Sequence, residues 1–157
     1  MDYRNSLDDQ NIIIYGHHFA RDWDPSGSKQ FTPLDILLTE ENYENNTTLK
    51  LILEDEIRIY EICAVIIIDA TDEKQLQIAR TDLNHDLSGN YDPGFYEEYI
   101  EMIGIRSVYV TGKQIGPDDQ LLTLLTCIEH RPDLRQAVIC KETSREIYGK
   151  KKGTLGA

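Results

Sequence analysis

The sequence predicts a mainly β fold with short helices in the connections, and three observations carry that reading. An alternating apolar run from Leu121 to Thr126 ends on Cys127. After a polar turn it is answered by a second apolar run that opens at Arg135 and includes Val138 and Ile139, so two strands of one sheet are the simplest interpretation. Leu49 to Leu53 and Ile57 to Ile68 are also strand-like and are separated by Glu54, Asp55 and Glu56, which suits a hairpin. The second of these ends in CAVIII, the pattern of a strand buried on both faces or bent around a small barrel.

The remaining elements follow in chain order. Asn11 to Tyr15 is a short apolar strand, and Gly16 gives the backbone room to turn before the paired His17 and His18. Arg21 to Ser28, RDWDPSGS, is rich in turn formers and predicts an exposed excursion. Trp23 within it is expected to fold back over the core, with a rim contact to a ligand as the alternative. Thr32 and Pro33 open a short helix with Asp35 in its first turn, and a polar helix or turn follows at Glu40 to Asn46. Thr71 predicts an N-cap for a helix over Asp72 to Arg80. Asp92 and Pro93 cap another over Gly94 to Ile103, where Phe95, Tyr99 and Met102 recur at helical spacing. Ile105 to Thr111 reads as a short extended piece, Gly116 to Asp119 as a turn, and Gln136 to Lys141 as the strand that completes the sheet. There is no internal repeat and no linker, so residues 1–148 are read as one domain and residues 149–157 as a polar tail.

Composition narrows the function classes. With 157 residues and 40% hydrophobic content the chain suits a single core. No apolar run approaches the ~18 to 20 residues that span a bilayer, so the chain reads as soluble, and MDYRNSLDDQ is too polar for a signal peptide. A formal net charge of −12 argues against nucleic acid, because phosphate binding needs clustered Lys and Arg. The basic cluster Lys150 to Lys152 lies in the tail. Cys63, Cys127 and Cys140 make no closed disulfide framework and no CxxC spacing. Cys63 and Cys140 sit inside apolar strands and read as packing residues, whereas Cys127 stands at a strand end followed by polar residues.

That position gives Cys127 a chemical alternative to packing. If the strands before His17, Cys127 and Arg135 are neighbours, a thiol, an imidazole and a guanidinium converge on one groove. A cysteine thiolate attacks an acyl carbon, an imidazole protonates the leaving amine, and a guanidinium steadies the carbonyl or the oxyanion; such a set performs acyl transfer through a thioester. Arginine cannot act as a base, so His17 would supply any proton transfer. Neighbouring histidines diverge and no HxxxH or CxxC partner accompanies them, so no metal is expected, nor any other cofactor. A papain-like order is excluded because there the cysteine precedes the histidine. His85 and His130 read as solvated loop residues.

These residues carry a family resemblance. YGHH at Tyr15 to His18 resembles the YGHN motif of sortases, TLLTC at Thr123 to Cys127 resembles their TLxTC, and Arg135, eight positions on, stands where their arginine does. FTPL at Phe31 to Leu34 and IYEICAV at Ile59 to Val65 resemble class B members in particular. The resemblance implies a sortase-like β-barrel, here incomplete at its N-terminal side because only ten residues precede Asn11 where sortases carry a helix and about three strands. It implies Cys127 as nucleophile, His17 as acid/base and Arg135 as substrate or oxyanion stabiliser. It further implies that the segment containing Phe95 to Ile103 forms one wall of the substrate groove. His18 stands where class B members commonly have Asn, and Leu125 where they commonly have Ser.

The implied activity is that of a cysteine transpeptidase. It would cleave an NPxTx-type sorting signal of a secreted protein and pass the acyl group to an amine of cell-wall precursor or pilin, in a Gram-positive setting. The alternative is a catalytically inactive fragment that only binds the signal peptide. The full-length form would be held by an N-terminal anchor at the extracellular face of the membrane.

Overall fold

A computed structural model describes residues 6–86 and 88–148. The tail at 149–157, with its lysine cluster, lies outside them. The strands are β1 (Asn11–Gly16), β2 (Thr48–Ile52), β3 (Glu56–Asp69), β4 (Leu121–Ile128) and β5 (Arg131–Ile147). The helices are α1 (Glu40–Glu44) and α2 (Pro93–Arg106), with 3-10 helices at Thr32–Leu38 and Gln75–Ala79.

All five strands belong to one sheet in the order β1-β4-β5-β3-β2. β1 runs parallel to β4, and every other neighbouring pair is antiparallel. The sheet is open, with β1 and β2 at its edges, so the barrel curvature expected of CAVIII takes the form of a sheet that does not close. β5, the longest strand, lies between β3 and β4 and pairs with both. Cys63 to Ile66 and Ile68 are buried, as a strand covered on both faces requires. Register irregularities between Ile59 and Tyr60 and between Ile62 and Ala64 interrupt the β3 to β5 ladder, the kind of local disruption that bends a strand.

Each face has its own core. On one, Ile13, Ile66, Ile68, Leu121, Leu125, Ala137 and Ile139 pack with Ile78 of the second 3-10 helix and with Tyr99 and Ile103 of α2. On the other, Ile12, Leu122, Leu124, Val138 and Cys140 pack with Leu37 of the first 3-10 helix and Tyr43 of α1. Side chains alternate between faces along a strand, so odd-numbered residues of β1, β4 and the inner half of β5 belong to the α2 face.

Several local expectations change. Thr71 is not a helix cap: its hydroxyl donates to Asp69 Oδ1 at 2.6 Å. The expected helix shortens to the 3-10 turn, and Asp72 serves it by accepting from the Lys74 N–H (2.9 Å) and Gln75 Nε2 (2.8 Å). Asp92 caps α2 as expected, accepting from the Gly94 N–H at 2.9 Å. α2 then continues to Arg106, absorbing Ile105, and Ser107 forms only an isolated bridge to Ile66, so Ile105 to Thr111 is no strand. Tyr99 and Ile103 anchor the helix in the core at 0% and 9% exposure, which holds its last turns against the sheet. Among the described residues, no helix is long and apolar enough to cross a membrane.

Candidate active site

The site begins where β1 ends. Gly16 pairs with Thr126 at the last step of the parallel ladder, and the Thr126 hydroxyl donates to the Gly16 carbonyl at 2.9 Å. Gly16 is needed for close approach rather than for a special turn: its φ is not positive, and a Cβ there would run into the Phe31 ring. Past it, the His17 backbone is held on both sides. Its N–H donates to Gln30 Oε1 at 3.0 Å, and its carbonyl accepts from the Phe31 N–H at 3.1 Å. The His17 ring is exposed, tilted at 54° to the Phe19 ring with centroids 6.2 Å apart.

β4 is buried from Leu121 through Thr126 and emerges at Cys127, which is exposed. Cys63 and Cys140 are buried instead, as expected of packing residues. Burial, partly offset by the charge of Lys141, pushes the Cys63 thiol up to about 11, and burial raises Cys140 well above the usual thiol value. Arg135 of β5 stands opposite Cys127 in register. Its Nη1 donates to the carbonyls of Pro132 (2.7 Å) and Leu134 (2.8 Å), which ties the guanidinium to its own hairpin. A guanidinium carries five N–H donors, so Nε and Nη2 retain theirs for a ligand.

His17, Cys127 and Arg135 follow the odd-numbered alternation of three adjacent strands and therefore share the α2 face. They line one cleft of about 190 Å³ together with Tyr15, Gly16, Leu125 and Thr126. Two larger clefts lie elsewhere, one of about 450 Å³ between α2 and residues 107–115, the other of about 480 Å³ between α2 and the second 3-10 helix. The larger clefts lack an exposed thiol beside an imidazole and a guanidinium, so chemistry favours the small one. No α2 residue lines it. The helix expected as a groove wall packs instead on β3 and the second 3-10 helix.

The other singled-out residues fall as follows. The His18 side chain is 3% exposed and its Nε2 lies 2.7 Å from Asp35 Oδ2, on the side of the first 3-10 helix. His85 is not simply solvated, since Nδ1 meets Asp82 Oδ2 at 2.9 Å and its ring stands edge-on to Tyr91. The His130 side chain is 87% exposed at the β4 to β5 turn. Trp23 is 75% exposed, contrary to the expected packing over the core. Its loop closes around Asp24, which is 1% exposed and accepts from the Lys29 N–H (2.7 Å) and the Ser26 hydroxyl (2.8 Å), and this leaves the indole outside. The same excursion is tied to the hairpin beyond Cys127 by the Arg21 N–H, which donates to Glu129 Oε1 at 3.1 Å. Sequence reasoning missed Gln30 and the Thr126 to Gly16 bond. Only the motif position of Thr126, directly before Cys127, signalled it.

No family model and no curated protein matches this chain. Solved structures do, and they are class B sortases. The sortase B of Clostridium perfringens is 26% identical at a TM-score of 0.67, covering 90% of this chain and 70% of its own. A Staphylococcus aureus sortase B in complex with substrate is 22% identical at 0.71, covering 92% of this chain and 61% of its own. A sortase B from the type II pilus of Streptococcus pneumoniae is 20% identical at 0.68, covering 91% and 74%. The chain thus has the class B sortase fold and spans about three fifths to three quarters of these proteins' lengths.

Proposed function

We propose that this chain carries the reaction centre of a sortase-type cysteine transpeptidase, with Cys127 as nucleophile, His17 as acid/base and Arg135 as stabiliser of the carbonyl oxygen. The observation that supports this best is the convergence of an exposed thiol, an exposed imidazole and a half-buried guanidinium on one face and one cleft of a class B sortase fold. A sortase B has been solved with substrate and another with triglycine, an amine-bearing peptide. The reading extends to this chain a peptide donor and an amine acceptor.

In the first half-reaction the Cys127 thiolate bonds to the scissile carbonyl carbon. Electron density moves to the carbonyl oxygen, where Arg135 Nε and Nη2 can donate. The intermediate collapses with cleavage of the C–N bond, and His17 gives its proton to the departing nitrogen. The acyl group is then a thioester on Cys127. In the second, an acceptor amine attacks the thioester carbon, His17 takes the amine proton, and the C–S bond breaks to restore the thiolate. Donor and acceptor are proposed as an NPxTx-type sorting signal of a secreted protein and a cell-wall or pilin amine, acting in a longer, membrane-anchored form at the extracellular face of a Gram-positive cell.

The test is mass spectrometry of the chain incubated with an NPxTx-type peptide and an amine. The reading requires an acyl adduct on Cys127, discharged by the amine, and no adduct in Cys127→Ala or His17→Ala. An adduct that persists in Cys127→Ala would sink it.

A further inference from the structure

His17 lies beyond the last residue of β1, so the ladder alone does not aim it. The segment from His17 to Phe19 is instead held against Gln30 to Asp35. The Phe19 N–H donates to Thr32 Oγ1 at 3.0 Å, and the His17 backbone is bound to Gln30 and Phe31. The remaining tie is made by a side chain of the segment itself: His18 Nε2 to Asp35 Oδ2 at 2.7 Å. A carboxylate only accepts, so Nε2 carries the proton and donates. Successive side chains in extended backbone point to opposite sides. A His18 ring drawn into the protein by Asp35 therefore turns His17 the other way, toward Cys127.

Asp35 can act as such an anchor because its own helix is fixed. The helix Thr32–Leu38 buries Leu37, at 3% exposure, in the second core. Its Leu34 carbonyl accepts from Gln136 Nε2 at 2.8 Å, and Gln136 directly follows Arg135. A continuous chain of packed and hydrogen-bonded groups thus runs from β5 through the helix and Asp35 to His18.

From this we infer that Asp35 is a positioning residue: through His18 it sets the direction of the His17 ring. Its consequence for turnover rests on the acid/base role proposed for His17, whereas the positioning itself does not. Displacing a reacting group by about 1 Å can cost on the order of 10²-fold in rate, so losing the anchor should lower kcat more than it changes KM.

The experiment is a long-range 1H–15N spectrum of the 15N-histidine-labelled chain, whose four imidazoles are assigned by single His→Gln variants, together with kcat and KM. In Asp35→Ala, the His17 ring signal should shift and broaden as the ring samples other directions, and kcat should fall by about ten- to a hundredfold with KM within about threefold. Asp35→Asn, which keeps an acceptor oxygen, should restore a single His17 signal and most of kcat. Asp35→Ser, too short to reach Nε2, repeats the test if the alanine variant does not fold. A His17 signal unchanged in Asp35→Ala or Asp35→Ser while that of His18 moves would overturn the proposal. A chain with no turnover in its parent form would count against the transpeptidase reading alone, since the His17 spectrum still decides the positioning.

Discussion

Cys127 and Arg135 are paired in register across β4 and β5, at the last step before the ladder is interrupted ahead of Ile128. The strand order places His17 on the other side of Cys127, because β1 lies beside β4. A thiol flanked by a ring and a guanidinium on neighbouring strands is held by backbone hydrogen bonds on both sides. Its geometry depends little on side-chain packing.

The thiols should separate by reactivity. Cys127 is exposed, whereas burial raises both other thiols, Cys63 to about 11. At pH 8 the buried pair stays protonated and covered, so iodoacetamide should label the native chain once, at Cys127, and the denatured chain at all three. Comparable native rates at Cys63 or Cys140 would contradict the burial described.

Arg135→Lys should lose most activity. An ammonium cannot bind the carbonyls of Pro132 and Leu134 through one nitrogen while presenting a planar fork to a ligand. Removing an oxyanion donor costs roughly 10² to 10³ in kcat, and thioester formation timed by quench flow measures it. Parent-like turnover in this variant would remove Arg135 from the stabilising role.

Gly16→Ala should be costly despite its small size. The new Cβ would meet the Phe31 ring, and relieving such overpacking typically costs about 1 to 3 kcal/mol. Phe31 also binds the His17 carbonyl, so thermal stability and peptide turnover should fall together. An unchanged Tm would show that Phe31 moves aside freely.

The loop after the site should loosen in acid. Burial alone would raise the Asp24 carboxyl, but hydrogen bonds from the Lys29 N–H, the Ser26 hydroxyl and the Ser28 N–H outweigh it and hold the group below the usual carboxylate value. A depressed folded value means that the stabilisation is complete above the unfolded pKa of about 4 and is lost as pH falls through the folded one. Anisotropy of Trp23, the single tryptophan, should drop below about pH 4. Asp24→Asn should show low anisotropy throughout. A parent titration as flat as that of the variant would rule out the carboxylate as the loop's clasp.

How much of this was legible in the sequence depended on range. The cores of β3, β4 and β5, the Asp92 cap and the burial of Cys63 and Cys140 were readable because each is written in a short apolar pattern or a cap within a few residues. The motif resemblance also marked His17, Cys127 and Arg135 as candidates. Trp23, Thr71 and Ile105 were misread, since their fates depend on Asp24, Asp69 and the packing of Ile103, and the local pattern does not say which neighbour prevails.

By itself the sequence determined which residues could be strands, which thiol stands at a strand end and which chemistry three side chains would perform if brought together. Only the tertiary structure decided that they are. Pairing Gly16 with Thr126 joins residues 110 positions apart, and the His18 to Asp35 brace joins an open loop to a helix packed in a separate core. Apolar periodicity records which face of a strand is buried, but not which strand lies beside it. That choice is made by burying two faces of one sheet at once, a property of the whole chain.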